Sequence, residues 1–328
     1  MYTGNENGHG GVLARELAEP IAQEPLRPER ILVQRPMPEG GSDPPVSLDY
    51  WDLTKPEISF LVTVSALAGF LLGSPDVIQG GLLGALLLGT VLSAAGVGVL
   101  NHYIERKHDA LMRRTANRPL PSGRISPRAA LIFGTSLTLA GLAIVVFFVN
   151  VATSVLAALT VGLYLFVYTP LKRRTSYNTL VGTIPGALPA LGGYVAATGT
   201  LGAGGWALFL ILACWQMPHF LALAWMYRKD YARAGFVMLP VVHPDGHSTA
   251  RQALLFAIGL MLASTVPTII GVTGWVYLAG AMALGVWFLF PAYAFHRSRT
   301  TRDARRMLAG SILYMPLLVV LIVVDRLL

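Results

Sequence analysis

With 54% of its 328 residues hydrophobic and 13% charged, the chain is too apolar for a soluble enzyme, whose charged share is about 25%. Its net charge of +8 is gathered at the ends of long apolar runs, so membrane topology explains it and no nucleic-acid partner is implied. The single cysteine, Cys214, lies inside one of those runs, which excludes an internal disulfide.

Residues 1–47 come first and differ from the rest. They are rich in Gly and Glu, and prolines such as Pro20, Pro25, Pro28, Pro36 and Pro38 break any helix. Such a stretch buries too little apolar surface to offset its ordering entropy, so it reads as a disordered tail. Its acids, among them Glu6, Glu16 and Glu19, do not suit a mitochondrial transit peptide and point to a bacterial-type plasma membrane. Residues 48–328 form the second unit, an all-α polytopic membrane domain. Nine spans of bilayer length are predicted in it: 58–73, 80–100, 129–149, 152–169, 180–199, 206–226, 253–271, 274–294 and 307–325.

Lysines and arginines fix the orientation. Of the 25, 24 fall on alternate connections, and the last, Arg326, is at the far end. The positive-inside rule then puts the N-terminus in the cytoplasm and the C-terminus outside.

The polar residues cluster on the same connections. After the second span comes Asn101-His-Tyr-Ile-Glu105-Arg-Lys-His-Asp109, followed by Arg114 and Arg118. If the helix runs on past the membrane edge, Asn101, Glu105 and Asp109 stand at i, i+4 and i+8 and share one stripe. An amide and two carboxylates suit Mg²⁺, which prefers oxygen ligands and shares its remaining sites with water and phosphate. An ordinary solvated helix end, its acids paired locally with Lys107 and Arg113, remains the plainer reading of this segment alone. Tyr168-Thr-Pro-Leu-Lys172-Arg173-Arg174 and Tyr227-Arg228-Lys229-Asp230 are expected at the same end. Carboxylates from two loops with cations between them could bind a diphosphate and stabilise it as a leaving group. His219, just after Pro218 in the sixth span, is ionisable at membrane depth and is a candidate contact for substrate.

These blocks, with Trp215-Gln-Met-Pro-His219-Phe and Leu53-Thr-Lys-Pro56, resemble the UbiA superfamily of intramembrane prenyltransferases, and within it the haem branch. The resemblance implies nine helices around a central cavity. It maps the first aspartate-rich motif onto Asn101, Glu105 and Asp109, and the second onto Asp230. His102 and Glu105 stand where the wider family tends to have Asp, and Ala234 replaces the later acid of the second motif. The implied reaction joins haem b, farnesyl diphosphate and water to give haem o and diphosphate, for the cofactor of haem-copper oxidases. Mg²⁺ would be held by Asn101, Glu105, Asp109 and Asp230. Lys172, Arg173, Arg114, Arg118, Lys229 and Tyr168 would contact the substrate, and His219 would contact haem. Haem A synthase or a second copy of the chain would be the protein partner, with lipid around the bundle. Two alternatives stay open: a related transferase with a quinone precursor or other lipophilic acceptor, and a membrane transporter or haem chaperone. Against the transporter, the acids and most cations sit at one membrane edge rather than at mid-span.

Overall fold

The computed structural model describes residues 45–74 and 78–328. The stretch read as a tail lies outside the described residues as far as 44, and α1 (Val46–Leu53) begins within its last two positions. Nine helices long and apolar enough to cross a bilayer follow among the described residues. They are α2 (Pro56–Gly73), α3 (Gly80–Asp109), α4 (Pro127–Phe148), α5 (Val151–Leu171), α6 (Asn178–Thr198) and α7 (Ala203–Met226). After two short helices, α8 (Arg228–Arg233) and α9 (Leu239–Val242), come α10 (His247–Ile269), α11 (Trp275–Ser298) and α12 (Thr301–Leu327). All nine predicted spans lie where the hydropathy put them. The one large extension is α3, which runs nine residues beyond its apolar part, so the stripe of Asn101, Glu105 and Asp109 is helical.

Local chemistry sets several helix starts. Pro56 and Pro127 occupy first-turn positions where their missing N–H costs nothing. The Ser126 hydroxyl accepts from the Ala129 N–H, and Asn150 and Thr300 do the same for Thr153 and Asp303. At the start of α11 the cap comes from another helix. The Asp325 carboxylate of α12 accepts from the Gly274 N–H at 2.6 Å and the Tyr277 N–H at 2.9 Å.

α6 and α7 are the most enclosed spans, while large side chains on the periphery, such as Phe147, Phe166 and Phe290, face outward as a lipid-facing surface requires. In lipid, helices associate by close van der Waals packing rather than by expelling water, so small residues mark the tightest seams. The seam between α2 and α6 is built this way. A Cβ added at Gly193 would lie 1.9 Å from the Ala66 carbonyl oxygen, and one at Gly69 would lie 1.9 Å from that of Ala190.

Candidate active site

The last two turns of α3 project Asn101, Glu105 and Asp109 inward, at 1%, 8% and 1% exposure. A buried carboxylate needs a partner, and each finds one on a different element. Lys172, just past α5, lies 2.9 Å from Glu105 Oε1. Arg118, in the α3–α4 loop, lies 2.9 Å from Asp109 Oδ2. Lys55, in the turn before α2, donates to Asn101 Oδ1 at 2.5 Å, and the Asn101 amide donates in turn to Thr169 Oγ1 at 3.2 Å.

Two backbone irregularities bring these groups together. Leu163–Tyr168 of α5 is a π-helical stretch, a wide turn that recurs at functional sites. It accommodates Pro170, which cannot supply an N–H, and sets Thr169 opposite Asn101 and Lys172 opposite Glu105. Lys55 adopts the left-handed conformation at φ 49°, uncommon for a residue with a side chain. The turn that holds it rests on α3 at Gly98, where a Cβ would sit 2.9 Å from the Thr54 carbonyl oxygen. From outside, the buried Asp49 of α1 accepts from Arg124 at 3.0 Å and ties α1 to the α3–α4 loop.

The balance of charge favours an anion. Lys172 and Arg118 match the two carboxylates of Glu105 and Asp109, and Lys55 adds a third basic group that is partly charged near neutral pH. Burial, and then the neighbouring Arg118 guanidinium, push the Lys55 ammonium down to about 7. Burial also works against Lys172, but the Glu105 carboxylate outweighs it and holds this lysine well above its ordinary value. Lys172 also lies 4.7 Å from the Tyr168 ring centre. Lys55 was missed as a site residue in the sequence, where it counts only as one more topology-setting cation. Lys55→Met is expected to lower kcat/KM for the prenyl diphosphate about 10–100-fold, the worth of one hydrogen bond to a charged group. Steady-state kinetics at saturating acceptor test this, and unchanged kinetics would remove Lys55 from the site.

The remaining predicted residues fall into two groups. Arg173 lies over the outer end of α3, 3.3 Å from His108 Nε2, and the Arg114 guanidinium stacks on the Tyr227 ring at 4.7 Å. Lys229 is exposed. The Asp230 carboxylate is taken up by Arg233 one turn later, at 2.9 Å. Among the described residues, no three His, Cys, Asp or Glu side chains come together as a metal cluster. The loop of Asp230 is nonetheless packed against the end of α3. Met112 and Leu111 share an apolar cluster with Tyr231, Ala234, Phe236 and Met238, and the His108 and Phe236 rings are 5.6 Å apart. His219 lies away from this ring of charge, on Ser311 of α12.

The donor set at the α3 stripe fits Mg²⁺: one amide oxygen and two carboxylates, each with an oxygen beyond the one its cation holds. His102, 3% exposed, has neither ring nitrogen partnered, a second sign that this region is built to receive polar groups. A polar cleft of about 210 Å³ opens nearby in sequence but on other elements, bounded by Tyr177, Met217, Leu239, His243 and Gln252. None of the charged groups of the α3 stripe lines this cleft.

Comparison with known proteins identifies the family. The sequence pattern of the UbiA prenyltransferase family matches residues 62–316. The protoheme IX farnesyltransferase of Salinibacter ruber is 59% identical over 277 residues, spanning 84% of this chain and 98% of that protein. That of Solibacter usitatus is 46% identical over 287 residues, spanning 85% and 98%. Among solved structures, digeranylgeranylglyceryl phosphate synthase superposes with a TM-score of 0.70 at 18% identity, covering 85% of this chain and 98% of that one. A UbiA homologue from Archaeoglobus fulgidus bound to GPP and Mg²⁺ superposes with a TM-score of 0.61 at 16% identity, covering 84% and 99%. At these identities the structures speak to the fold alone.

Proposed function

The chain belongs to the UbiA prenyltransferase family, and from that premise we propose that it transfers a farnesyl group from farnesyl diphosphate to haem b, with water, to give haem o and diphosphate. One observation carries the chemistry: three basic side chains from three different elements converge on the buried amide and carboxylates of a single helix stripe. The acceptor is supported by relatives of near-full-length coverage that bear the name protoheme IX farnesyltransferase.

Asn101, Glu105 and Asp109 would hold Mg²⁺, with Asp230 offered from the facing loop. The ion would supply charge neutralisation at the diphosphate. Lys55, Lys172 and Arg118 are placed to bind the diphosphate oxygens, with Arg114, Arg173 and Lys229 further out, and Tyr168 backs Lys172. As the bond from the allylic carbon to oxygen breaks, its electron pair stays with the diphosphate, and these cations stabilise the growing negative charge. The haem vinyl group then forms the new carbon–carbon bond. Water captures the cation left beside the porphyrin and loses a proton. Until then the apolar bundle shields the allylic cation from water.

The Lys- and Arg-rich end would face the cytoplasm of a plasma membrane, the N-terminus inside and the C-terminus outside. Haem A synthase, or a second copy of the chain, would be its protein partner. The test is direct. Membranes holding the chain are given farnesyl diphosphate, Mg²⁺ and either haem b or hydroxybenzoate, and products are resolved by mass spectrometry. Haem o from the first mixture alone is expected. A prenylated hydroxybenzoate without haem o would move the chain to a quinone-type acceptor, and no diphosphate release in either mixture would return it to transport.

A further inference from the structure

Asp49 is a buried acid in a place where an apolar residue would serve the fold. It shares the inward stripe of α1 with Leu53, one turn later, and both are nearly sealed from solvent. Leu53 packs into an apolar cluster with Val99, Leu120 and Ile125, and the Tyr50 ring stands edge-on to Phe133 with centres 5.0 Å apart. These contacts dock α1 against α3 and α4 without help from a charge. One guanidinium nonetheless grips the whole carboxylate. Arg124 Nε lies 3.0 Å from both Asp49 oxygens, and Nη2 lies 3.0 Å from Oδ1. The rest of that guanidinium gathers the α3–α4 loop. Its Nη1 donates to Ser122 Oγ at 2.9 Å and its Nη2 to the Asn117 carbonyl at 3.1 Å. The Ser122 hydroxyl donates in turn to the Arg118 carbonyl at 2.7 Å.

Two basic groups of the charged site stand at the ends of this chain of contacts. Lys55 comes two residues after α1, in a left-handed backbone that its surroundings must enforce. Arg118 follows Asn117 directly and reaches Asp109. A buried ion pair adds little net stability over apolar side chains of the same volume, whereas a bidentate pair fixes distance and angle together. Geometry, and not folding energy, is therefore what this pair supplies. We propose, resting on the diphosphate reading above, that Asp49 and Arg124 are positioning residues whose pairing sets the turn of Lys55 and the loop of Arg118 in register around the α3 stripe. Both act through their neighbours and not on the substrate.

The full-length chain is purified in detergent, and its affinity for inorganic diphosphate is measured with Mg²⁺ present by calorimetry. KM is measured alongside for farnesyl diphosphate and for haem b. Asp49→Asn should weaken diphosphate binding and raise KM for farnesyl diphosphate about 10-fold, the lower end of what an outer partner of a binding group is worth. KM for haem b should not move. Arg124→Lys, the milder second variant, keeps the charge but loses the fork, so it should match Asp49→Asn and not the wild type. In a Lys55→Met background the Asp49→Asn penalty should shrink, because one of the two groups it positions is gone. A pair that only stabilises the fold gives another pattern: fewer active molecules, a lower maximal rate, and diphosphate affinity and both KM values unchanged. That pattern would overturn the positioning role, and full additivity with Lys55→Met would sever the link to Lys55. The two readings fail separately. If the wild type binds no diphosphate, the reading of the site itself falls. If it binds diphosphate and Asp49→Asn binds it as tightly, only the positioning role falls.

Discussion

Glu105→Gln is expected to lower kcat/KM for farnesyl diphosphate by about 10²–10³-fold, the usual cost of removing one preorganised charge-stabilising group. The substitution keeps the shape and one hydrogen-bonding oxygen but removes the negative charge. Two functions are lost together: a hard oxygen ligand on the α3 stripe, and the carboxylate that holds Lys172 2.9 Å away as a cation. Stability should also fall, by less than the about 3–5 kcal/mol that follows when a buried pair is broken outright, because Gln still accepts from the ammonium. The double variant Glu105→Gln with Lys172→Met separates the effects. It should regain stability, since no unpaired charge is left, and remain inactive. Asp109→Asn should act in the same direction through Arg118. Turnover near that of wild type in Glu105→Gln would remove the stripe from the chemistry.

Gly193→Ala should be the most damaging single change to the fold. The new Cβ would sit 1.9 Å from the Ala66 carbonyl oxygen, against backbone that no side-chain rotation can relieve. Since α2 carries its own reciprocal close contact at Gly69, the two helices must separate along the whole seam. A cost above about 3 kcal/mol is expected, at the upper end of overpacking effects. Size-exclusion chromatography of heated, detergent-solubilised protein measures it, and Gly81→Ala, whose Cβ would meet nothing within 4 Å, is the control. Equal melting of the two variants would show that the seam does not hold the bundle.

These two predictions mark what could be read in the sequence and what could not. Membrane spans are legible because lipid demands about 20 apolar residues wherever a helix crosses, and the alternation of lysine and arginine counts them a second way. The α3 stripe is legible because helical periodicity alone puts Asn101, Glu105 and Asp109 on one face. Lys55 was not, since its role depends on a left-handed backbone and on the lack of a side chain at Gly98, and neither leaves a pattern. The π-helical stretch before Thr169 is hidden for the same reason, although Pro170 hints that the ladder must yield there. For Asp230, sequence logic joins acids from separate motifs, whereas its carboxylate lies on Arg233 within its own turn. A single charge and a short reach favour the nearest partner, and motif spacing carries no record of that competition.

The π-helical segment leads into groups that join the two loops of the charged mouth. The Lys172 carbonyl accepts from the Val237 N–H at 2.7 Å, and the Asn178 amide donates to the Val237 carbonyl at 2.9 Å. With both backbone groups of Val237 tied down, the segment after α8 is clasped to the stretch that bears Lys172. Such a clasp cannot hinge upward like a cap without breaking both hydrogen bonds at once. Lys172 is therefore held from two directions, by Glu105 through its side chain and by Val237 through its backbone.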